Sequence, residues 1–353
     1  MFKLVTIFGG YKRCIIALVL ASLLVLLVAS QLNAMFFKSA VTPARSSMLN
    51  RTETTAAQET TAAQPRSTSS PPSSTAGSTA LNVVLPGSFH AHNETFNCVT
   101  ARMIGMKFPM CVYATNTDIY VSASFVGGGY FERDEVSRFL RLLQLDRRLQ
   151  FVDIGANIGV YALPIARLTQ VLAVEPNRRS MARLAKSVEL GTIGSNITLV
   201  HNAVSNVRTV LKMGVDRKNQ GHAYLISGAE CKLTDEGAPC STLARTQTVL
   251  LNDLLPLMRS KTALIKVDTE GHEINVFTES SAGQFFDQID VSLVFMEWMW
   301  CRKMSPNIVN GLLEFFRRRN FVAFDTRNIR LQSHYRNWPV NVLFKKSSYT
   351  ARF

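Results

Sequence analysis

The chain has 353 residues, 47% of them hydrophobic, which is ample to bury a core as one large domain or two small ones. Its 39 Lys and Arg against 25 Asp and Glu give a net charge of +14, pointing to nucleic acid, acidic glycans or membrane surfaces as neighbours without choosing among them. Six histidines, and six cysteines with no C-x-x-C pair, exclude a zinc site of ordinary spacing.

Lys3, Lys12 and Arg13 precede an apolar run that is unbroken from Cys14 to Ala29 and continues to Phe37. About 20 such residues span a bilayer, so 14–37 is expected to be a transmembrane signal anchor. Lys38 and Arg45 follow more sparsely. The positive-inside bias then makes 1–13 a cytoplasmic tail and puts the rest in a lumen, as in a type II membrane protein. The competing reading is a signal peptide cleaved near Val28-Ala29-Ser30, which would release a secreted protein.

Residues 38–82 are dominated by Ser, Thr, Ala and Pro, with ETTAAQ at 53 and again at 59 and STSSPPSSTAGST at 67. This composition cannot bury enough apolar surface to fold and reads as a flexible, O-glycosylatable stem. Anchor, stem and domain is the layout of Golgi enzymes that work on glycans, shared by some secreted and cell-surface proteins. Glycosylation patterns at Asn50, Asn93 and Asn196 fit a lumenal location. An oxidising compartment would permit the pairs Cys98 with Cys111 and Cys231 with Cys240, leaving Cys301 over; the alternative is a set of buried thiols.

The composition of 83–353 is that of a folded domain. ERDEVSRFLRLLQL, 132–145, has helical apolar spacing. FVDIG at 151, VLAVE at 171, NITLV at 196, ALIKV at 263, VSLVFME at 291, FVAFD at 321 and VNVLFKK at 340 read as strands, most of them separated by helical stretches such as VYALPIARL and RRSMARLAKSVEL. The alternation predicts an α/β fold, a doubly wound, mostly parallel seven-stranded sheet covered by helices. Ligands in such folds bind beyond the carboxyl ends of the strands.

FVDIGANIGVY, 151–161, is a strand, then Asp153, Gly155, Asn157 and Gly159, then a helix. Glycines there permit a tight turn and close approach to a ligand, and the helix start offers free amides. Glu175 ends the next strand, where a carboxylate can accept from the hydroxyls of a ribose. The pair points to an adenosine-containing ligand. The loop resembles the D/E-x-G-x-G-x-G loop of S-adenosylmethionine-dependent methyltransferases, with Asn157 in place of the middle glycine.

VDIGANIGVY, VEPN at 174, NAVS at 202, LNDLL at 251 and IKVDTEGHE at 265 together resemble the FkbM family of methyltransferases over about residues 115–300, GGGYFERDE at 127 included. Asn252 and Thr269 stand where the family more often has Asp and Val. The resemblance implies the Rossmann-like class I methyltransferase fold, S-adenosylmethionine as cofactor, and methylation of oxygen, in several members on sugar hydroxyls. Cofactor-binding roles are expected for Asp153, Gly155, Asn157, Gly159 and Glu175. Asn202 and Ala203, after the third strand, are candidates for the adenine edge, and His201 beside them for an ordinary buried histidine.

LIKVDTEGHEI, 264–274, places Lys266, Asp268 and Glu270 along one strand face. Asp268, Glu270 and His272, with Glu297 at the end of the next strand, are the catalytic candidates that would fringe the pocket and take the acceptor proton. The alternative is a structural cluster, Lys266 paired with Asp268, with Glu270 and Glu273 capping the following helix, and that role is preferred for Glu273. A divalent ion on Asp268, Glu270 and Glu297 is conceivable, but no spacing requires a metal and none is expected. Arg178-Arg179 and Arg317-Arg318-Arg319 lack the interleaved aromatics of a nucleic-acid surface and read as solvated helix faces, so no nucleic acid is expected as partner.

The expectation is therefore a single-pass Golgi-type membrane protein whose lumenal domain methylates a hydroxyl, of a glycan in the first place. A lipid or secreted small molecule as acceptor, and a non-catalytic binding or scaffold protein on the same fold, are the alternatives.

Overall fold

The computed structural model describes residues 81–89, 95–215, 219–226 and 241–353. The chain divides into Met1–Ser73 and Ser74–Phe353, and every described residue belongs to the second unit. The expected tail and anchor, nearly all of the stem, Asn50, Asn93, Cys231 and Cys240 lie outside the described residues. Among the described residues, no helix is long and apolar enough to cross a membrane.

In chain order the main elements open with β1 (Val83–Val84), the hairpin β2 (Asn97–Met103) and β3 (Met106–Val112), then helices α1 (Val121–Val126) and α2 (Arg133–Leu145). β4 (Leu149–Ile154), α3 (Ala162–Ile165), β5 (Val171–Val174), α4 (Arg178–Gly191) and β6 (Ile197–Val200) follow. Next come β7 (Ala203–Val204), β8 (Val210–Val215), β9 (Ala223–Ile226) and β10 (Ser241–Val249). The chain closes with β11 (Thr262–Val267), α5 (Glu273–Val276), α6 (Glu279–Gln288), β12 (Asp290–Glu297), α7 (Pro306–Arg318), β13 (Phe321–Phe324) and β14 (Asn341–Lys346).

The main sheet has eight strands in the order β1-β6-β5-β4-β11-β12-β14-β13. All seven strands read from the sequence are in it, and the count of seven is corrected to eight by β1, a two-residue edge strand antiparallel to β6. So short a strand leaves no periodic signal. β6, β5, β4, β11 and β12 run parallel, whereas β14 is antiparallel to both of its neighbours, so the sheet is mixed. Among the parallel strands the chain starts at β4, steps out to β5 and β6 and then to β11 and β12 on the other side, which puts a topological switch point between β4 and β11.

Alternation along β4 explains how the sheet is buried. Phe151 joins one apolar layer with Phe139, Leu163 and Leu184, while Val152 and Ile154 join the opposite layer with Val267, Met296 and Trp298. Asp153 shares the face of Phe151, and Lys266 on β11 lies in register beside it. Two charges thus sit inside an otherwise apolar layer.

A second sheet, β7-β10-β8-β9, comes from the segment between β6 and β11. The β2–β3 hairpin packs against α4 and carries a disulfide between Cys98 and Cys111, directly opposite in register. Cys301 is buried and free. Asn196 opens the loop into β6, and its Nδ2 donates to the Ala166 carbonyl at 3.0 Å.

Candidate active site

The loop after β4 turns left-handed at Gly155, φ 81°, and again at Asn157, φ 50°. Its Gly155 and Ala156 amides donate to the Val174 carbonyl at 2.9 and 3.0 Å, tying the loop to β5. A Cβ on Gly155 would lie 1.8 Å from the Asp268 carbonyl oxygen, so only glycine lets the ends of β4 and β11 approach this closely. Gly159 is required for another reason: its Cβ would sit 2.6 Å from the Leu184 side chain, inside the contact between the loop and α4.

Glu175, at the end of β5, is 5% exposed. Its Oε2 accepts from the Asn157 amide at 2.8 Å and its Oε1 from the Asn177 amide at 2.7 Å, so one carboxyl organises both the loop and the start of α4. Burial raises its pKa to about 7 against the opposing pull of those two amides. Behind the loop, Ser180 donates to Asn157 Oδ1 at 3.2 Å and shares a 2.8 Å hydrogen bond with the Tyr113 hydroxyl.

A cleft opens at the carboxyl ends of β4, β5, β6 and β11. Gly155, Asn157, Glu175, Asn202 and Ala203 all line it. The Asn202 amide is also spoken for structurally, accepting from the Asn82 amide at 2.9 Å and donating to the Gln247 carbonyl at 3.2 Å. Gly159 and Asp153 are not among the residues that line the cleft. Asp153 points into the layer beneath, fully buried, because strand alternation puts it on the face of Phe151. Its nearest cation is Lys266, with Nζ 3.5 Å from Oδ1.

Lys266 Nζ also lies 3.4 Å from Asp268 Oδ2 and donates to the Gly155 carbonyl at 2.9 Å. Burial alone would lower the lysine pKa, but Asp268, Asp153 and Glu132 outweigh it and hold the side chain charged. A buried lysine shared by two aspartates and the glycine loop fixes the floor of the cleft.

Asp268 and Glu270 line the cleft on the β11 side. Glu297 does not line it, yet one oxygen from each of Asp268, Glu270 and Glu297 falls within 4.8 Å of the others, close enough to hold a divalent cation. Burial first, and then mutual repulsion, raises Glu270 well above the ordinary carboxyl range and Glu297 to about 10. Glu297 therefore retains its proton at neutral pH.

His272 departs from the expected arrangement. Glu270, φ 55°, and Gly271, φ 97°, turn the chain, so His272 caps α5 and faces away from the cleft. Its Nε2 is 2.8 Å from the Ser205 hydroxyl and its Nδ1 is 3.0 Å from Asn275 Nδ2. Burial lowers its pKa to about 4, so the ring is neutral and structural. Glu273 serves as a cap, its Oε1 accepting from the Thr269 and Gly271 amides at 2.8 and 3.0 Å. His201 is likewise structural, its Nδ1 3.1 Å from the Glu175 carbonyl.

Two groups at the site lay outside the sequence reading. Glu132 lines the cleft from the start of α2, held by the Tyr161 hydroxyl at 2.8 Å. His222, just before β9, places Nδ1 3.4 Å from Glu270 Oε2. The position of Glu132 at the edge of a helix pattern was the available signal for the first; for His222 the sequence offers none.

The donor set fits an adenosyl cofactor with a cationic end: a glycine cradle, a carboxylate at the ribose position, and a cleft bordered by acids. One family model agrees with this chemistry. Residues 153–323 match the family model described as the methyltransferase FkbM domain. No curated protein matches the chain. Similar solved structures include a precorrin-6y C5,15-methyltransferase from Geobacter metallireducens, with 14% identity over 60% of this chain and 87% of that one and a TM-score of 0.32. A putative O-methyltransferase from Klebsiella pneumoniae shows 12% identity over 67% of this chain and 91% of that one, with a TM-score of 0.36. The O-methyltransferase TomG from Streptomyces achromogenes, in complex with SAM, shows 9% identity over 66% of this chain and 89% of that one, with a TM-score of 0.34. Residues 153–323 are thus a methyltransferase FkbM domain, and the protein is an S-adenosylmethionine-dependent methyltransferase.

Proposed function

We propose that the protein methylates a hydroxyl group, that of a glycan, in the lumen of the secretory pathway, as a single-pass type II membrane protein anchored by residues 14–37. The observation that carries the hydroxyl reading is the pair Asp268 and Glu270 on the cleft wall beside the donor loop, where an acceptor proton can be received. Glycan and Golgi rest on the FkbM resemblance together with the anchor-and-stem composition, and the Cys98–Cys111 disulfide supports an oxidising compartment.

Bound S-adenosylmethionine supplies a methyl group already activated by the sulfonium, so the protein has to align the acceptor oxygen and accept its proton. In this reading Asp268, fixed by Lys266 at 3.4 Å, takes that proton. Glu270, linked to His222, hydrogen-bonds and orients the acceptor.

The test is incubation of the full-length protein with methyl-labelled donor and fractionated glycans, lipids and secreted small molecules, with Asp268→Asn as control. Label in the glycan fraction that is lost with Asp268→Asn is the expected result. Label in lipid or small molecules would replace the glycan reading, and donor binding without any transfer would favour a binding protein.

A further inference from the structure

Five charged side chains border the cleft, and four of them are acids: Glu132, Glu175, Asp268 and Glu270 against Lys266. Asp153 adds a further carboxyl behind the lysine. Carboxyls that can ionise against an approaching cation favour a cationic ligand over a neutral one. S-adenosylmethionine carries two cationic centres, the sulfonium and the ammonium of its methionine part.

The sheet order sets the direction in which that ligand lies. The ends of β6, β5, β4 and β11 are neighbours along one edge, bearing Asn202, Glu175, the glycine loop and Lys266 with Asp268 in turn. With the ribose at Glu175, the methionine end runs across β4 towards β11. Glu132 enters the cleft on that side. It occupies the N-cap of α2 in the left-handed region, φ 50°, and its side chain makes no capping bond to its own helix. Strain of this sort at a non-glycine residue gathers at functional positions.

We propose that Glu132 is the anchor for the methionine end of the donor, its carboxylate pairing with the ammonium group. Tyr161 donates to Oε2 at 2.8 Å and fixes the carboxyl in place. The charged groups that face it are Lys266 from β11, Asp268 just beyond that strand and Glu135 on α2 itself. Burial holds the Glu132 pKa at about 7, with Asp268 acting in the same direction and Lys266 and the Tyr161 hydroxyl opposing. A cation set against the carboxyl drives out the remaining proton.

The inference rests on S-adenosylmethionine as donor, and three ligands separate its parts. S-adenosylmethionine has sulfonium and ammonium, S-adenosylhomocysteine has the ammonium alone, and 5′-methylthioadenosine has neither. Calorimetry on the full-length protein should show Glu132→Gln weakening the first two by about tenfold, a loss typical of one charge-assisted bond, while leaving methylthioadenosine within about twofold. Equal loss for all three ligands would overturn the proposal in favour of a structural role. A loss confined to S-adenosylmethionine would overturn it in favour of a contact to the sulfonium. Failure of the wild-type protein to bind any of the three would overturn the donor assignment itself.

A second measurement needs no variant. Titrations of wild-type protein at pH 7 in buffers of different ionisation enthalpy count released protons. Glu175 also titrates near 7, and methylthioadenosine reports its share through the ribose. S-adenosylhomocysteine should release roughly half a proton more than methylthioadenosine. Equal release from the two ligands would overturn the proposal.

Discussion

Gly155 and Asp268 meet backbone to backbone: a side chain of even one carbon on the glycine would penetrate to 1.8 Å from the aspartate carbonyl oxygen. Gly155 also holds φ 81°, which a side chain tolerates poorly. Gly155→Ala is therefore expected to push apart the ends of β4 and β11, costing on the order of 3 kcal/mol of stability. Donor affinity should fall at least about tenfold with it. Thermal unfolding and calorimetry check both, and an unchanged variant would mean that the two loops do not pack as described.

Glu175 presents a different kind of dependence. Its carboxyl serves the Asn157 and Asn177 amides and also lines the cleft, so Glu175→Ala should lower donor affinity by about ten- to a hundredfold. Because the ionised form is the acceptor for ribose hydroxyls and its pKa is about 7, affinity in the wild type should fall as pH drops from 8 to 6. Methylthioadenosine binding measured across that range isolates the effect.

His272 is expected to matter for stability and not for chemistry. Its folded pKa, about 4, lies below the ordinary histidine value of 6.5, so the unfolded chain binds the extra proton between those values. Stability is then full above about pH 6.5 and is lost as pH falls through 4, by roughly 3 kcal/mol if the group behaves as fully buried. His272→Gln should flatten this acid limb while leaving kcat within about threefold at pH 7.5. A large loss of kcat with unchanged unfolding would return His272 to the catalytic set.

Glu297 titrates in the opposite sense. Its folded pKa, about 10, is raised above the unfolded carboxyl value, so its contribution is complete below about pH 4.5 and declines as pH rises towards 10. Glu297→Gln, which copies the protonated form, should lose less melting temperature than the wild type between pH 6 and 10. Identical profiles would show that Glu297 is ionised throughout.

Asn196 lies in a glycosylation pattern but spends its side-chain nitrogen on the Ala166 carbonyl at the base of β6. Protein isolated from a secretory host should carry no glycan there, and peptide mass spectrometry would detect one. The pattern was legible as sequence; the bond that occupies its nitrogen was not.

The strands were legible because most are short apolar runs bounded by turn residues, the signature of a sheet covered on both faces. β1 was not, since two residues at the end of a Ser/Thr-rich tract carry no pattern. The small sheet formed by β7 to β10 also escaped: Lys212, Thr242, Arg245, Thr246 and Gln247 interrupt its apolar positions, so nothing marks it as buried. At the site, local motifs placed Gly155, Asn157 and Glu175 on the cleft, because the turn after β4 carries the first two and the neighbouring end of β5 the third. Asp153 lies off the cleft lining for a reason of parity, one residue along a strand being the difference between the cleft and the layer beneath it. His272 was misplaced by the two left-handed residues before it. Glu132 and His222 come from distant segments and meet the cleft only through tertiary packing.

The Cys98–Cys111 hairpin has a bearing on where this chain can work. From β3, the Cys111 amide donates to Ser187 on α4 at 2.8 Å, and Tyr113 reaches Ser180 on the same helix, which in turn bonds Asn157 in the donor loop. The element that buttresses the cofactor loop from behind is thus closed by a covalent bond. Reducing that disulfide is expected to loosen the hairpin and, through Ser180 and Asn157, the loop that holds the methyl donor.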